Sequence, residues 1–94
     1  MLCKIVDCGA AWCGPCKMFS GIFDEVSKME EFNGIEFKGV DVDTDEGNAY
    51  VEKYGVRNIP TILFLDENDR QLERQTGSVS RESFVSTINK ILKS

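Results

Sequence analysis

The 94-residue chain contains no histidine, so no Cys-His or Ser-His arrangement can supply a general base and no imidazole can hold a metal. It has no apolar run near the roughly 20 residues a membrane helix needs, and no charged segment leading into an apolar stretch at its start. A membrane span and a targeting segment are therefore not expected, and cytoplasm is the expected location. Basic residues are outnumbered, 11 Lys and Arg against 16 Asp and Glu. The net charge of -5 repels phosphate backbones and anionic lipid at long range, which argues against nucleic acid and membrane partners and favours a dissolved monomer. Linkers, internal repeats and low-complexity stretches are missing too, so one domain over residues 1–94 is expected. A glycine-rich dinucleotide motif is also lacking, and no tightly bound cofactor is expected.

What the chain does have is an ordinary globular composition, 41% hydrophobic and 29% charged, with apolar residues spread along its length. Leu2, Ile5 and Val6 predict a first strand over residues 2 to 7. Met18, Phe19, Ile22, Phe23, Val26 and Met29 recur at helical spacing and predict a helix from about 14 to 31, stopping near Asn33-Gly34. Ile35, Phe37, Val40 and Val42 predict a largely buried second strand over 35 to 42. Thr44 can cap a short helix of about 45 to 54, with Asp45 and Glu46 in its first turn, Lys53 in its last and Gly55 just beyond. A hairpin of residues 61 to 65 and 71 to 76 turns through Asp66-Glu67-Asn68-Asp69, and Ser80 can cap a last helix striped by Phe84, Ile88, Ile91 and Leu92. The order is βαβαββα. Strands separated by helices favour parallel pairing, and the closing hairpin adds antiparallel edges, giving an α/β sandwich.

The chemistry is expected in Trp12-Cys13-Gly14-Pro15-Cys16. Two cysteines separated by two residues at a helix start can close a small disulfide ring. If Cys13 is the cap, its sulfur can accept the backbone N–H of Cys16, and Pro15 removes a donor the first turn leaves unpaired anyway. Unsatisfied N–H groups and the helix dipole favour a thiolate, lowering its pKa from about 8.5 and making Cys13 nucleophilic without a histidine. Cys-x-x-Cys is also half of a zinc site, to which Cys3 and Cys8 would be the only further thiolates; their five-residue separation on an extended segment suits a compact tetrahedron poorly. Both read more simply as small apolar strand residues, with Cys3 near the chain end open to a regulatory or intermolecular disulfide.

The string Trp12-Cys13-Gly14-Pro15-Cys16-Lys17 after a strand ending in Asp7, with Tyr54-Gly55-Val56-Arg57, Ile59-Pro60-Thr61 and Gly77 in the same order, resembles the thioredoxin family over nearly the whole chain. The resemblance implies the thioredoxin-like fold, a cis Ile59-Pro60 bond, and reduction of protein disulfides by a Cys13/Cys16 dithiol-disulfide cycle reset by an external reductase. It implies substrate docking at Trp12, Gly14, Pro15, Ile59 and Pro60, and a buried Asp7 that relays the proton of Cys16. The chain departs from the family pattern. It begins about one strand and one helix later than a full thioredoxin, Gly9 replaces a usual aromatic residue, Gly21 a usual proline, and Gly39 a lysine that faces the buried carboxylate. Lys38 should point away from Asp7 because neighbouring strand residues face opposite ways. An extracytoplasmic reductase or isomerase, suggested by Phe64-Leu65-Asp66-Glu67-Asn68, and a binding module without turnover are the competing readings.

Overall fold

The computed structural model describes all 94 residues. The elements follow in the expected βαβαββα order: β1 (Leu2–Gly9), α1 (Gly14–Ser27), β2 (Glu36–Asp41), α2 (Asp45–Tyr54), β3 (Thr61–Asp66), β4 (Gln71–Thr76) and α3 (Arg81–Lys93). They build one four-stranded sheet in the order β2-β1-β3-β4. β1 pairs with β2 in parallel and with β3 antiparallel, and β3 and β4 form the antiparallel hairpin.

Each face of the sheet carries its own core. On one face Ile5, Ile62 and Phe64 pack beneath α1 and α3, which contribute Phe19, Phe23, Val26, Phe84 and Ile88. On the other, Val6, Cys8, Val40, Leu63 and Leu65 meet Val56 and the Tyr50, Val51 and Tyr54 side chains of α2. A register shift between Leu2 and Lys4 explains how Leu2 joins the first core although it lies an odd number of residues from Ile5.

The helix signals read from the sequence act as expected. Thr44 Oγ1 accepts the N–H of Gly47 at 3.0 Å and Ser80 Oγ that of Ser83 at 3.0 Å, while Gly55 ends α2 in the left-handed region at φ 62°. Arg74 of β4 covers the exposed end of α2 by donating to the carbonyls of Tyr54 and Gly55.

Four expectations are corrected. The helix expected to reach residue 31 stops at Ser27, and the chain bends at Met29 into a single 3₁₀ turn, Glu30–Phe32. Phe32 is buried in the α1/α3 core. At 100° per residue, a continued helix would have turned it roughly 120° away from Val26, so burying this ring requires the break. β1 runs two residues beyond Asp7, because Cys8 and Gly9 still pair with Val40 and Asp41 of β2. β2 is only partly buried rather than largely so, since it lies at the sheet edge with Glu36 and Gly39 exposed. Finally, α2 does not connect parallel strands. After its C-terminus the chain returns through residues 55 to 60, so Thr61 starts β3 beside Cys8 at the end of β1 and β3 runs the opposite way.

Candidate active site

The site lies where β1 ends and α1 begins. Cys13 is the N-cap of α1, with φ -95° and ψ 114°, and its Sγ accepts the N–H of Cys16 at 3.2 Å. Pro15 stands in the first turn, as its missing donor permits. The Cα atoms of Cys13 and Cys16 are 5.2 Å apart and the two sulfurs are joined as a disulfide. Both residues are almost fully buried, packed with Ala10 and bordered by Val42 and Ile59. The Cys16 N–H and the N-terminal end of α1 both direct positive charge at this sulfur.

The structure brings most of the sequence-derived residues to this point. Ile59 packs against the Ala10, Cys13 and Cys16 cluster, the Ile59-Pro60 bond is cis, and the carbonyl of Pro60 accepts the N–H of Gly77 at 2.8 Å. Thr61 donates its hydroxyl to the carbonyl of Asn58 and fixes the loop that carries Ile59. Gly14 and Pro15 are exposed beside the disulfide. Trp12 is 70% exposed, and its indole N–H donates to Asp43 Oδ2 at 2.8 Å.

Asp7 lies under α1 on the same sheet face as the first core, only 7% exposed. It lines an open cleft of about 390 Å³ together with Gly9, Cys16, Gly39 and Asp41. Burial alone pushes its carboxyl up to about 6, and its Oδ1 has no hydrogen-bond partner. Lys38 points to the opposite face, where its Nζ pairs with Glu46 at 3.0 Å. Gly39, which stands opposite Asp7 in the ladder, offers no side chain.

Cys8 belongs to the other core, where burial pushes its thiol up to about 12, and Cys3 is half-buried. Neither joins the Cys13/Cys16 cluster. Two contributors escaped the sequence reading. Asp43, which the sequence reading did not single out, is the partner of Trp12. Gly47, read only as part of a helix, lies so close to β2 that a Cβ there would overlap the carbonyl of Asp41. No spacing signal marks the first; a glycine in the first turn of an otherwise good helix was the available sign of the second.

Comparison with known proteins extends these local findings to the chain as a whole. The thioredoxin family model matches residues 3–90. The thioredoxin of Pyropia yezoensis is 35% identical over 88 residues, covering 94% of this chain and 78% of that protein. The thioredoxin of Rickettsia felis is 41% identical over 86 residues, covering 92% of this chain and 78% of that protein. Among solved structures, Fasciola hepatica thioredoxin superimposes with a TM-score of 0.78 at 31% identity, covering 93% of this chain and 78% of its own. The Malassezia sympodialis thioredoxin gives 0.79 at 29% identity, over 93% and 72%.

Proposed function

We propose, from the premise that this chain belongs to the thioredoxin family and is a thiol-disulfide oxidoreductase acting on protein disulfides, that Cys13 is the attacking sulfur and Cys16 the resolving one. The observation that carries this assignment is the cap geometry: Cys13 Sγ receives the Cys16 N–H at the positive end of α1. The Cys13 thiolate attacks one sulfur of a substrate disulfide, the other sulfur leaves as a thiolate, and a Cys13-substrate disulfide remains. Cys16 then attacks Cys13 Sγ and releases the second substrate thiolate, so the substrate gains two electrons and Cys13-Cys16 becomes the disulfide. An external reductase of the thioredoxin-reductase class returns the electrons.

The remaining roles follow from position. Asp7, in the cleft that Cys16 also lines, accepts the Cys16 proton as that thiol becomes the nucleophile. The backbone at Ile59, together with Pro60, Trp12, Gly14 and Pro15, docks an extended substrate segment by main-chain pairing, which makes recognition tolerant of side chains. We place this activity in a monomer in the reducing cytoplasm; a markedly oxidising potential would move it to an extracytoplasmic setting.

The test is Cys16→Ser with a disulfide-bonded test protein. The variant is expected to accumulate a covalent Cys13-substrate disulfide visible by mass, while Cys13→Ser accumulates none. Trapping by the second variant alone would reverse the assignment of the two sulfurs. No trapping by either, with no acceleration of substrate reduction by the wild type, would refute it.

A further inference from the structure

Asp7 and Gly39 are partners in the parallel β1–β2 ladder. A side chain begun at Gly39 would meet no atom within 4 Å, and Gly9, next but one along β1 from Asp7, carries no side chain either. The cleft beside Gly39 is open, about 390 Å³, and Ala10 and Ala11 are among the residues that line it. The charged groups that line the cleft with Asp7 are Lys17 of α1 and Asp41 of β2, whose Oδ1 also accepts the N–H of Asp43; β3 places Ile62 opposite Asp7. Lys17 is exposed at the rim, and no cation moves the titration of Asp7, which burial alone displaces. The molecule thus holds a carboxylate more than nine-tenths buried, with an unpartnered oxygen and unfilled space beside it. A buried carboxylate in that position gains most from a compact cation that brings its own donors.

We propose that this cleft is a binding site for a primary alkylammonium group, with Asp7 as its counter-charge, Asp41 as a second acceptor, and the apolar walls taking the methylene stem. A lysine side chain of a protein substrate or a free amine presents the same chemistry. The ammonium is small and carries three donors, so it can serve two carboxylates at once. Its aliphatic stem lies along Ala10 and Ala11 while the charge meets Asp7. Occupation holds Asp7 ionised and lets it accept the Cys16 proton at lower pH. That consequence rests on the redox role proposed above; the binding itself does not.

The experiment follows the Asp7 carboxyl by ¹³C NMR in the reduced 94-residue chain during titration with n-butylammonium chloride, with sodium chloride and n-butanol as controls. The expected result is a saturable fall in the Asp7 midpoint of about one pH unit, a tenfold change in its acid constant, with neither control reproducing it. Gly39→Lys is expected to lower the midpoint without ligand and to ignore butylammonium. A shift no larger than that given by sodium chloride, or an equal shift in Gly39→Lys, overturns the site. To separate the two sources, kcat/KM is compared for two disulfide peptides that differ only by lysine against norleucine near the cysteine. A lysine preference that is present in the wild type and lost in Gly39→Lys identifies a substrate side chain; equal rates with butylammonium binding intact identify a free amine. Failure of both proteins to reduce either peptide, with the NMR shift intact, would sink the redox reading and leave the cation site standing.

Discussion

Gly9 of β1 lies directly against Cys16 of α1: a Cβ at position 9 would stand 3.2 Å from Cys16 Cβ and 3.3 Å from its Sγ. Cys16 cannot retreat easily, because its N–H is bound to Cys13 Sγ and its sulfur is tied in the disulfide. Gly9→Ala therefore gains a few tenths of a kcal/mol from a stiffer unfolded chain but overpacks the site by about 1 to 3 kcal/mol. A net loss of about 1 kcal/mol is expected, read as a lower urea midpoint of the oxidised protein with an unchanged m-value. A midpoint at or above that of the wild type would show that α1 yields at this contact.

Gly47 lies in the first turn of α2, where helix propensity alone favours alanine by about 1 kcal/mol. The propensity argument fails here because a Cβ would come within 3 Å of the backbone of Asp41 and Val42. Gly47→Ala must push α2 off the end of β2, and the expected outcome is destabilisation of about 3 kcal/mol or more, measured by thermal or urea unfolding. Gly34→Ala, where nothing stands within 4 Å, is the matched control and should stay within about 0.5 kcal/mol.

The contrast between these glycines shows what the sequence carries and what it withholds. Local signals were legible because their physics is local: Thr44, Ser80 and Gly55 act within one turn of themselves, and Cys13 caps α1 because the Cys-x-x-Cys spacing fits that turn. The break at Met29 was not legible, since no proline or glycine marks it and its cause is the distant pocket that receives Phe32. The antiparallel sense of β3 depends in the same way on the path of residues 55 to 60 rather than on any pattern within the strand. At the site, Cys13, Cys16 and the cis Ile59-Pro60 were readable from the motif and the resemblance. The cleft beside Asp7 was legible only in part: the resemblance set Gly39 where a lysine would face the carboxylate, but the open space and its lining come from elements that only the fold brings together.

The indole of Trp12 is anchored by one hydrogen bond to Asp43, which is itself held by an Asp41 side chain accepting its N–H at 2.8 Å. Both partners are at the surface, so Asp43→Ala is expected to change global stability by less than about 0.5 kcal/mol. Freeing the indole costs docking instead. A net hydrogen bond of about 0.5 to 1 kcal/mol predicts a KM for a protein disulfide raised roughly two- to fivefold with little change in kcat, together with altered Trp12 fluorescence. Equal loss of kcat would place the Trp12-Asp43 pair in the exchange step rather than in docking.

The raised carboxyl of Asp7 also gives stability a sign against pH. Unfolding returns its pKa from about 6 to the ordinary 3.8, so between those values the folded chain binds the extra proton. Its contribution is therefore greatest below about pH 4, falls as pH rises through 6, and leaves the folded state carrying a buried charge above that. A displacement of about 2 units corresponds to about 3 kcal/mol at most. Urea unfolding of the wild type relative to Asp7→Asn from pH 4 to 8 isolates this group from the other carboxylates: the difference should move against the wild type through pH 4 to 6 and level off above 7. The same titration belongs in the chemistry. The rate at which Cys16 resolves a mixed disulfide on Cys13 should rise with a midpoint near 6 in the wild type and lose that step in Asp7→Asn. A stability difference that tracks pH while the resolution rate does not would make Asp7 a buried charge with no part in proton transfer.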